Sequence, residues 1–451
     1  MAQRLSLKIG HSGVRGIVGE TLTPQLVTSF AAAFGTYCGA GPILIGTDTR
    51  PSGDMLKQAA IAGLLSVGCT PIDTGVAPLP SLMLHVGEAG AFGGISVGGG
   101  PGSPAWNALR FISAEGRALR ANQAAELTDL YHQGVYPRVG ALEMSDLRAD
   151  ASSAARHLAA VTRAVDADRI RSRRFTVALA EGGGGAEGPA RRMLEALGCD
   201  VVSLDLPVRD AASEEAGTEE ASVARLADLV RGSGADAGFA IDGDAVRLAA
   251  VDERGTPLGR DASVALVVGR WLERKAGPVV VSVATSRMVD DAAARFGVAV
   301  HRSPVGEPNV VAAMQERGAE LGGEGDGGVV VLPINACRDS FAAMAVILES
   351  AAVSGATLSG LRERLPRYAI LRDRLLCPAR DIAPSLRLVR NLYRGERIDL
   401  IDGVQVRWPD RWLLVRPSTT EPVLRIMAEA PSATEARALV DSVLDLLSPG
   451  V

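Results

Sequence analysis

The chain is nearly without lysine. Lys8, Lys57 and Lys275 are the only three, so almost all of its 47 basic residues are arginines. Arginine stays protonated and shuttles protons poorly, so a site that needs a basic side chain to release a proton is ill served here. Cysteine is scarce too. Cys38, Cys69, Cys199, Cys337 and Cys377 are widely spaced, odd in number and form no CxxC pair. That argues against a disulfide framework or a zinc site and for small buried thiols in a reducing compartment. The five histidines, His11, His85, His132, His157 and His301, are scattered singly. They offer no nucleophile–base pair, and most are expected to be satisfied structural residues. No apolar run reaches the ~18 residues of a membrane span. The opening MAQRLSLKIG has no apolar signal core, so a cytoplasmic location and no membrane partner are expected. The net charge of −5 gives no pull toward nucleic acid.

What is present is a repeat. At roughly 100–200 residues per domain, 451 residues imply three or four domains. Three times, a short apolar strand runs into a polar or Gly-rich loop, then a helix, then a second strand after a glycine. The strands open as PILIGTDTR, FTVALAEGGGG and PVVVSVATS, and the glycines are Gly68, Gly198 and Gly297. Such β-branched runs joined by helices are βαβ units with parallel pairing. Ligands then bind beyond the carboxyl ends of the strands, near Ile45, Leu179 and Val283. From residue 398 the pattern changes to apolar–polar alternation, with turn signals at Asp402-Gly403 and Pro409-Asp410. This predicts a small antiparallel sheet. A terminal helix follows, with Ser432 as N-cap and Glu435 three residues later. The expected fold is α/β: three tandem mixed α/β/α domains, 1–150, 151–255 and 256–366, and a small α+β domain, 367–451. The polar stretch from Asp205 to Ser222 is read as a surface loop.

Four segments carry chemistry. VRPSTTEPVLRIMAEA gathers Arg416, Ser418, Thr419, Thr420 and Arg425. Two guanidinium groups with clustered hydroxyl and amide donors are what a phosphate dianion requires. FAIDGDAVR places Asp242 and Asp244 on a tight turn with Arg247 beyond. Paired carboxylates there suit a hard cation such as Mg²⁺, although Val246 adds no ligand. LGGEGDGGVVV holds Glu324 and Asp326, which can accept hydrogen bonds from sugar hydroxyls; a flexible surface turn is an equal reading. GISVGGGPGSPAWNALRF is a strand, a glycine run and Arg110. Gly183, Gly185 and Gly188 mimic a dinucleotide fingerprint, with Asp205 downstream. Within a run of four glycines that spacing means little, and no nucleotide cofactor is expected. Trp271 and Trp412 are read as packing residues.

In order and spacing these segments resemble the α-D-phosphohexomutases, the superfamily of phosphoglucomutase, phosphomannomutase and phosphoglucosamine mutase. The resemblance spans essentially the whole chain. KIGHSGVRGIVGETLTP resembles the family's FGTDGIRG opening, in the flavour of phosphoglucosamine mutase. GTDTRPSG, IDGDAVR, GGEGDGG and RPSTTEP fall where the family has its motifs. The resemblance implies four domains around a cleft. It implies a phosphoserine that exchanges its phosphoryl group with the sugar, and Mg²⁺ held by that phosphoserine and three aspartates. Against the family pattern SASHNPxxxNGIKF, Asn107 and Phe111 align, and the nucleophile then falls on Gly100. Pro101, Gly102 and Ser103 take the following positions, and Arg110 stands where the family has a lysine. Ser12 replaces an aspartate in the opening, while Arg15 is kept. Val246 replaces the third metal aspartate. Asp326 and Gly328 replace a serine and a histidine, and Thr419 replaces a glycine.

The losses fall on the chemistry and spare the phosphate grip. Three readings follow. The first is a hexose-phosphate-binding protein without mutase activity, regulating or pairing with an active mutase. The second is an active phosphotransferase with Ser103 as substitute nucleophile. The third is a scaffold with a vestigial cleft. Mg²⁺ is expected to be held weakly. The resemblance also makes a homodimer through the first domain plausible. The first reading is the working expectation.

Overall fold

The computed structural model describes residues 7–10, 13–99, 105–182, 184–186, 188–204, 220–418 and 422–447. Gly100, Ser103, Thr419 and Thr420 lie outside the described residues, as do His11, Ser12 and residues 205–219.

The first sheet holds β1 (Leu7–Gly10), β2 (Gly13–Ile17), β3 (Pro42–Thr47), β4 (Thr70–Val76), β5 (Gly93–Gly99), β6 (Trp106–Ser113) and β7 (Arg148–Ala149). The second holds β8 (Thr176–Glu181), β9 (Asp200–Leu204), β10 (Ala237–Ile241) and β11 (Leu248–Asp252). The third holds β12 (Val279–Ser282), β13 (Val300–Ser303), β14 (Leu321–Gly323) and β15 (Val329–Val331). The sequence repeat becomes a repeated topology, because the orders β4-β3-β5-β6, β9-β8-β10-β11 and β13-β12-β14-β15 are the same. In each, the first strand pairs in parallel with the second and the third. The fourth strand returns antiparallel as a hairpin. A hairpin needs only a short loop, whereas parallel neighbours need a crossover. Each of these three hairpin loops carries one of the chemical segments.

The fourth sheet is antiparallel throughout: β16 (Ala369–Leu376), β17 (Arg397–Asp399), β18 (Val404–Arg407), β19 (Trp412–Pro417) and β20 (Val423–Ala430). Its order is β16-β20-β19-β18-β17. Side chains alternate across it. Leu424, Ile426 and Ala428 join the core under the helix Ala433–Leu447, while Trp412, Leu414 and Met427 pack on Val283 and Ala284, in the turn just after β12. The expected cap is present: Glu435 N donates to Ser432 Oγ, and Ser432 N donates to Glu435 Oε2. One expectation needs correction. The polar stretch was read as loop through Ser222, but Glu220–Ser233 is a helix. Leu226 and Val230, four apart, anchor its buried face.

The second and third sheets share one core, through the helix Ser340–Ser354, which is buried along nearly its whole length. Asp339 caps that helix, accepting from Phe341 N at 3.0 Å and Ala342 N at 3.1 Å. Its other oxygen lies 2.6 Å from His157 Nε2, and His157 Nδ1 lies 2.9 Å from Ser81 Oγ. This has the composition of a hydrolase triad. All three side chains are fully buried, so it ties the first three sheet layers together and reaches no substrate. His85 repeats the pattern with Ser153 and Asp150. Trp271 and Trp412 are buried, as expected.

Trp412 Nε1 donates to Glu429, which also accepts from Arg287 N, and Glu429 is fully buried. Burial raises its carboxyl above the ordinary range. A raised folded-state value means the charged form weakens the fold as pH climbs through it. Glu429→Gln keeps the accepting oxygen and removes the charge. Its melting temperature relative to the wild type should rise from acid to alkaline pH; a difference that shrinks toward alkaline pH would contradict this.

Candidate functional site

The four chemical segments fall at four hairpin connections. They join β5 to β6, β10 to β11, β14 to β15, and β19 to β20. Between the second, third and fourth sheets lies a cavity of about 1160 Å³. Arg247, Glu324, Asp326, Arg416 and Arg425 all line it, so residues from three of the four segments meet in one place.

Its fourth-sheet wall is a row of arginines. Arg374 on β16 lies opposite Arg425 on β20, and Arg425 lies opposite Arg416 on β19. Register partners share a face, and like charges directly opposite destabilise a sheet. Arg416 is compensated by Asp402, whose carboxylate accepts from its Nε at 2.8 Å and also from Val305 N at 3.0 Å. The β19–β20 loop begins beside this row, where Ser418 N donates to Val423 O at 2.9 Å. Arg374 was not singled out in the sequence. The alternation in AILRDRLL, with Arg372 and Arg374 on one face, was the signal available. Arg372 donates to Asp261 Oδ2 and to Gly325 O, both at 3.0 Å, joining the fourth sheet to the third.

The reading of Glu324 and Asp326 as a flexible surface turn is corrected. Both sit in an ion-pair network around Arg338, which sequence reasoning missed. Arg338 Nη1 lies 2.8 Å from Asp326 and 3.3 Å from Glu324, and its Nε lies 3.3 Å from Glu307. Burial alone would raise the Asp326 carboxyl. The Arg338 and Arg247 guanidiniums outweigh it and hold the group well below the usual range. Glu324 goes the other way, pushed up by burial and only partly offset by Arg338. Glu324 also accepts from Gly306 N at 2.7 Å.

Arg247 links this network to the second cluster. Its Nε donates to Asp326 at 3.0 Å, and its backbone N donates to Asp242 Oδ1 at 3.1 Å. Asp242 is fully buried, and desolvation pushes its carboxyl up to about 7. Asp244 pairs instead with Arg110 of β6 at 2.5 Å, with both side chains about nine-tenths buried. Arg110 also donates to Gly99 O at 3.0 Å. Arg15, Ala108 and Gly98 are register partners across β2, β6 and β5, so Arg15 shares this face. Asp48 and Arg50, in the loop after β3, form a further pair at 3.2 Å. A Cβ on Gly99 would lie 2.7 Å from Arg50 Nη2, so a side chain there would have to displace the Arg50 guanidinium.

The family's Mg²⁺ does not fit the residues present. Asp242 and Asp244 remain, but Val246 is buried and apolar. Among the described residues no group of three or more His, Cys, Asp or Glu side chains is arranged to hold a metal. The Asp244 carboxylate already holds a guanidinium. A divalent ion about 4 Å from that unit charge meets a repulsion of roughly 8 kcal/mol at an effective dielectric of about 20.

Of the fingerprint-like glycines, Gly185 serves packing, since a Cβ there would lie 2.6 Å from Ala77 O; its neighbour Gly184 has φ +70°, and a Cβ there would lie 2.5 Å from Gly243 O, in the turn between Asp242 and Asp244. Gly183 and Asp205 lie outside the described residues. Among the described residues no helix is long and apolar enough to cross a membrane.

Comparisons with known proteins agree along the chain. The phosphoglucomutase/phosphomannomutase α/β/α domain models I, II and III match residues 6–137, 155–255 and 260–368, and the C-terminal domain model matches 378–446. A probable phosphoglucosamine mutase of Methanopyrus kandleri is 34% identical over 445 residues, covering 97% of each chain. A phosphoglucomutase/phosphomannomutase of Thermococcus kodakarensis is 33% identical, covering 97% of this chain and 98% of its own. Among solved structures, a phosphoglucomutase/phosphomannomutase family protein of Burkholderia thailandensis superposes with a TM-score of 0.86 at 24% identity, covering 98% of both chains. An N-acetylphosphoglucosamine mutase of Aspergillus fumigatus, in complex with GlcNAc-6P and magnesium, matches with a TM-score of 0.61 at 13% identity, covering 98% of this chain and 95% of its own. At those identities the two structures speak for the fold alone.

Proposed function

Because the chain belongs to the phosphoglucomutase/phosphomannomutase family of α-D-phosphohexomutases, we propose that it binds a hexose phosphate in this cleft without interconverting its 1- and 6-phosphates. The observation that carries the reading is the row Arg374–Arg425–Arg416 facing the cavity. Three guanidiniums side by side favour an anion between them, and their planar donors suit a phosphate. Arg416, Ser418, Thr419, Thr420 and Arg425 form the phosphate grip. Glu324 and Asp326, which line the same cavity, are the carboxylates this reading assigns to the sugar hydroxyls. Arg247 adds a guanidinium to the cavity wall, and Arg15 and Arg110 share one face of the first sheet. The division of the chain near 150, 255 and 366 is the frame for this reading, and the four separate sheets support it.

Absence of turnover rests on the chemistry of Gly100, which has no oxygen to carry a phosphoryl group. Loss of a nucleophile in a covalent mechanism costs on the order of 10⁶ in rate, by analogy with a protease. In Arg110 a guanidinium replaces a lysine, and it gives up a proton far less readily. The names of the relatives point to glucose, mannose and glucosamine phosphates as ligands to try.

Calorimetric titration with the 6-phosphates of glucose, mannose and glucosamine, beside inorganic phosphate, tests the binding half. At least one sugar phosphate should bind more tightly than phosphate itself. Failure of all three would favour a vestigial cleft. Turnover abolished by Ser103→Ala but not by Ser96→Ala would replace this reading with a relocated nucleophile.

A further inference from the structure

We infer that the Arg110 guanidinium is a resident cation standing in for a divalent metal, so that this chain holds its cleft together without one. Three carboxylates converge where the first and second sheets meet, and each already has a guanidinium. Asp48 faces Arg50 at 3.2 Å, Asp244 faces Arg110 at 2.5 Å, and Asp242 faces Arg247 at 3.8 Å. Asp48 and Asp244 are each neutralised by their own guanidinium, so a divalent ion beside them would add two positive charges in a mostly buried place.

The position of Arg110 carries the argument. A Cβ built on Gly98 would lie 3.5 Å from Arg110 Nη1, 3.4 Å from Asp48 Oδ2 and 3.7 Å from Asp244 Oδ1. One guanidinium therefore lies among carboxylates contributed by two sheets, where a bridging cation would sit. Its five N–H donors lie in a fixed plane, and it donates to the Gly99 carbonyl as well as to Asp244. A metal would instead need oxygen ligands around it, and the buried apolar Val246 supplies none.

The test is a Mn²⁺ titration of the full-length protein followed by electron paramagnetic resonance, without any sugar phosphate. It is therefore independent of whether the cleft binds one. The wild type should take up no stoichiometric Mn²⁺, whereas the Arg110→Ala/Val246→Asp double variant should bind one ion. Should that variant not fold, Arg110→Gln removes only the charge and should raise Mn²⁺ affinity about tenfold or more, the scale of neighbouring-group effects on metal sites. Arg110→Lys keeps the charge and should bind no better than the wild type. Stoichiometric binding by the wild type overturns the inference. So does a folded double variant that binds none, or an Arg110→Lys protein that gains affinity as Arg110→Gln does.

Discussion

Replacing Arg416 and Arg425 together by glutamine should weaken hexose phosphate binding roughly a hundredfold or more, from about 1.5–3 kcal/mol for each charge-assisted hydrogen bond lost. Calorimetry against the best ligand of the wild type measures it. A second readout separates lost binding from lost folding. Arg425 lies opposite arginines on both sides, Arg374 and Arg416. Arg425→Gln alone should bind more weakly yet unfold, when ligand-free, at close to the wild-type temperature. A variant that loses both binding and stability would show that Arg425 serves the sheet and not an anion.

The second large effect is on stability. Arg338→Met should destabilise the protein by about 3–5 kcal/mol, because it leaves Glu307, Glu324 and Asp326 without their shared cation. The cost depends on pH in a definite direction. The Asp326 carboxyl is held well below its ordinary value in the wild type by Arg338 and Arg247. That stabilisation is fully present above the ordinary carboxylate range and is lost as pH falls through the folded-state value. In the variant the crowded carboxylates take up protons more readily. The gap between wild type and variant should therefore narrow as pH is lowered from neutrality, as chemical denaturation at a series of pH values would reveal. A gap that stays constant would mean that Arg338 acts through packing of its stem.

What could be read in the sequence was whatever lies close along the chain. The strand–loop–helix units were legible because β-branched runs and punctuating glycines are local. The Ser432 cap was legible because its partner is three residues away. Arg416 and Arg425 were legible because one hairpin holds both. The antiparallel fourth strands were less so, being short: Val329–Val331 has only three residues. Pairings that cross between sheets were not legible at all. Nothing near Arg338 announces that Asp326 and Glu324 close on it. Nothing near Arg110 announces Asp244, which is 134 positions away. In the sequence Arg110 was legible only as the residue standing where the family has a lysine. The structure instead shows an ion pair that joins two sheets. Asp48 and Arg50 were quoted only as part of a motif, and their place beside Gly98 and Gly99 emerges from the parallel pairing of β3 with β5.

The central claim is binding without turnover, and one sample can test it. Phosphorus NMR of the wild-type protein would be recorded with glucose 1-phosphate, Mg²⁺ and a trace of glucose 1,6-bisphosphate, followed by the intact mass of the recovered protein. The expected result is a shifted or broadened sugar phosphate resonance, no glucose 6-phosphate and no added phosphoryl mass. Glucose 6-phosphate accumulating together with a phosphorylated chain would contradict it.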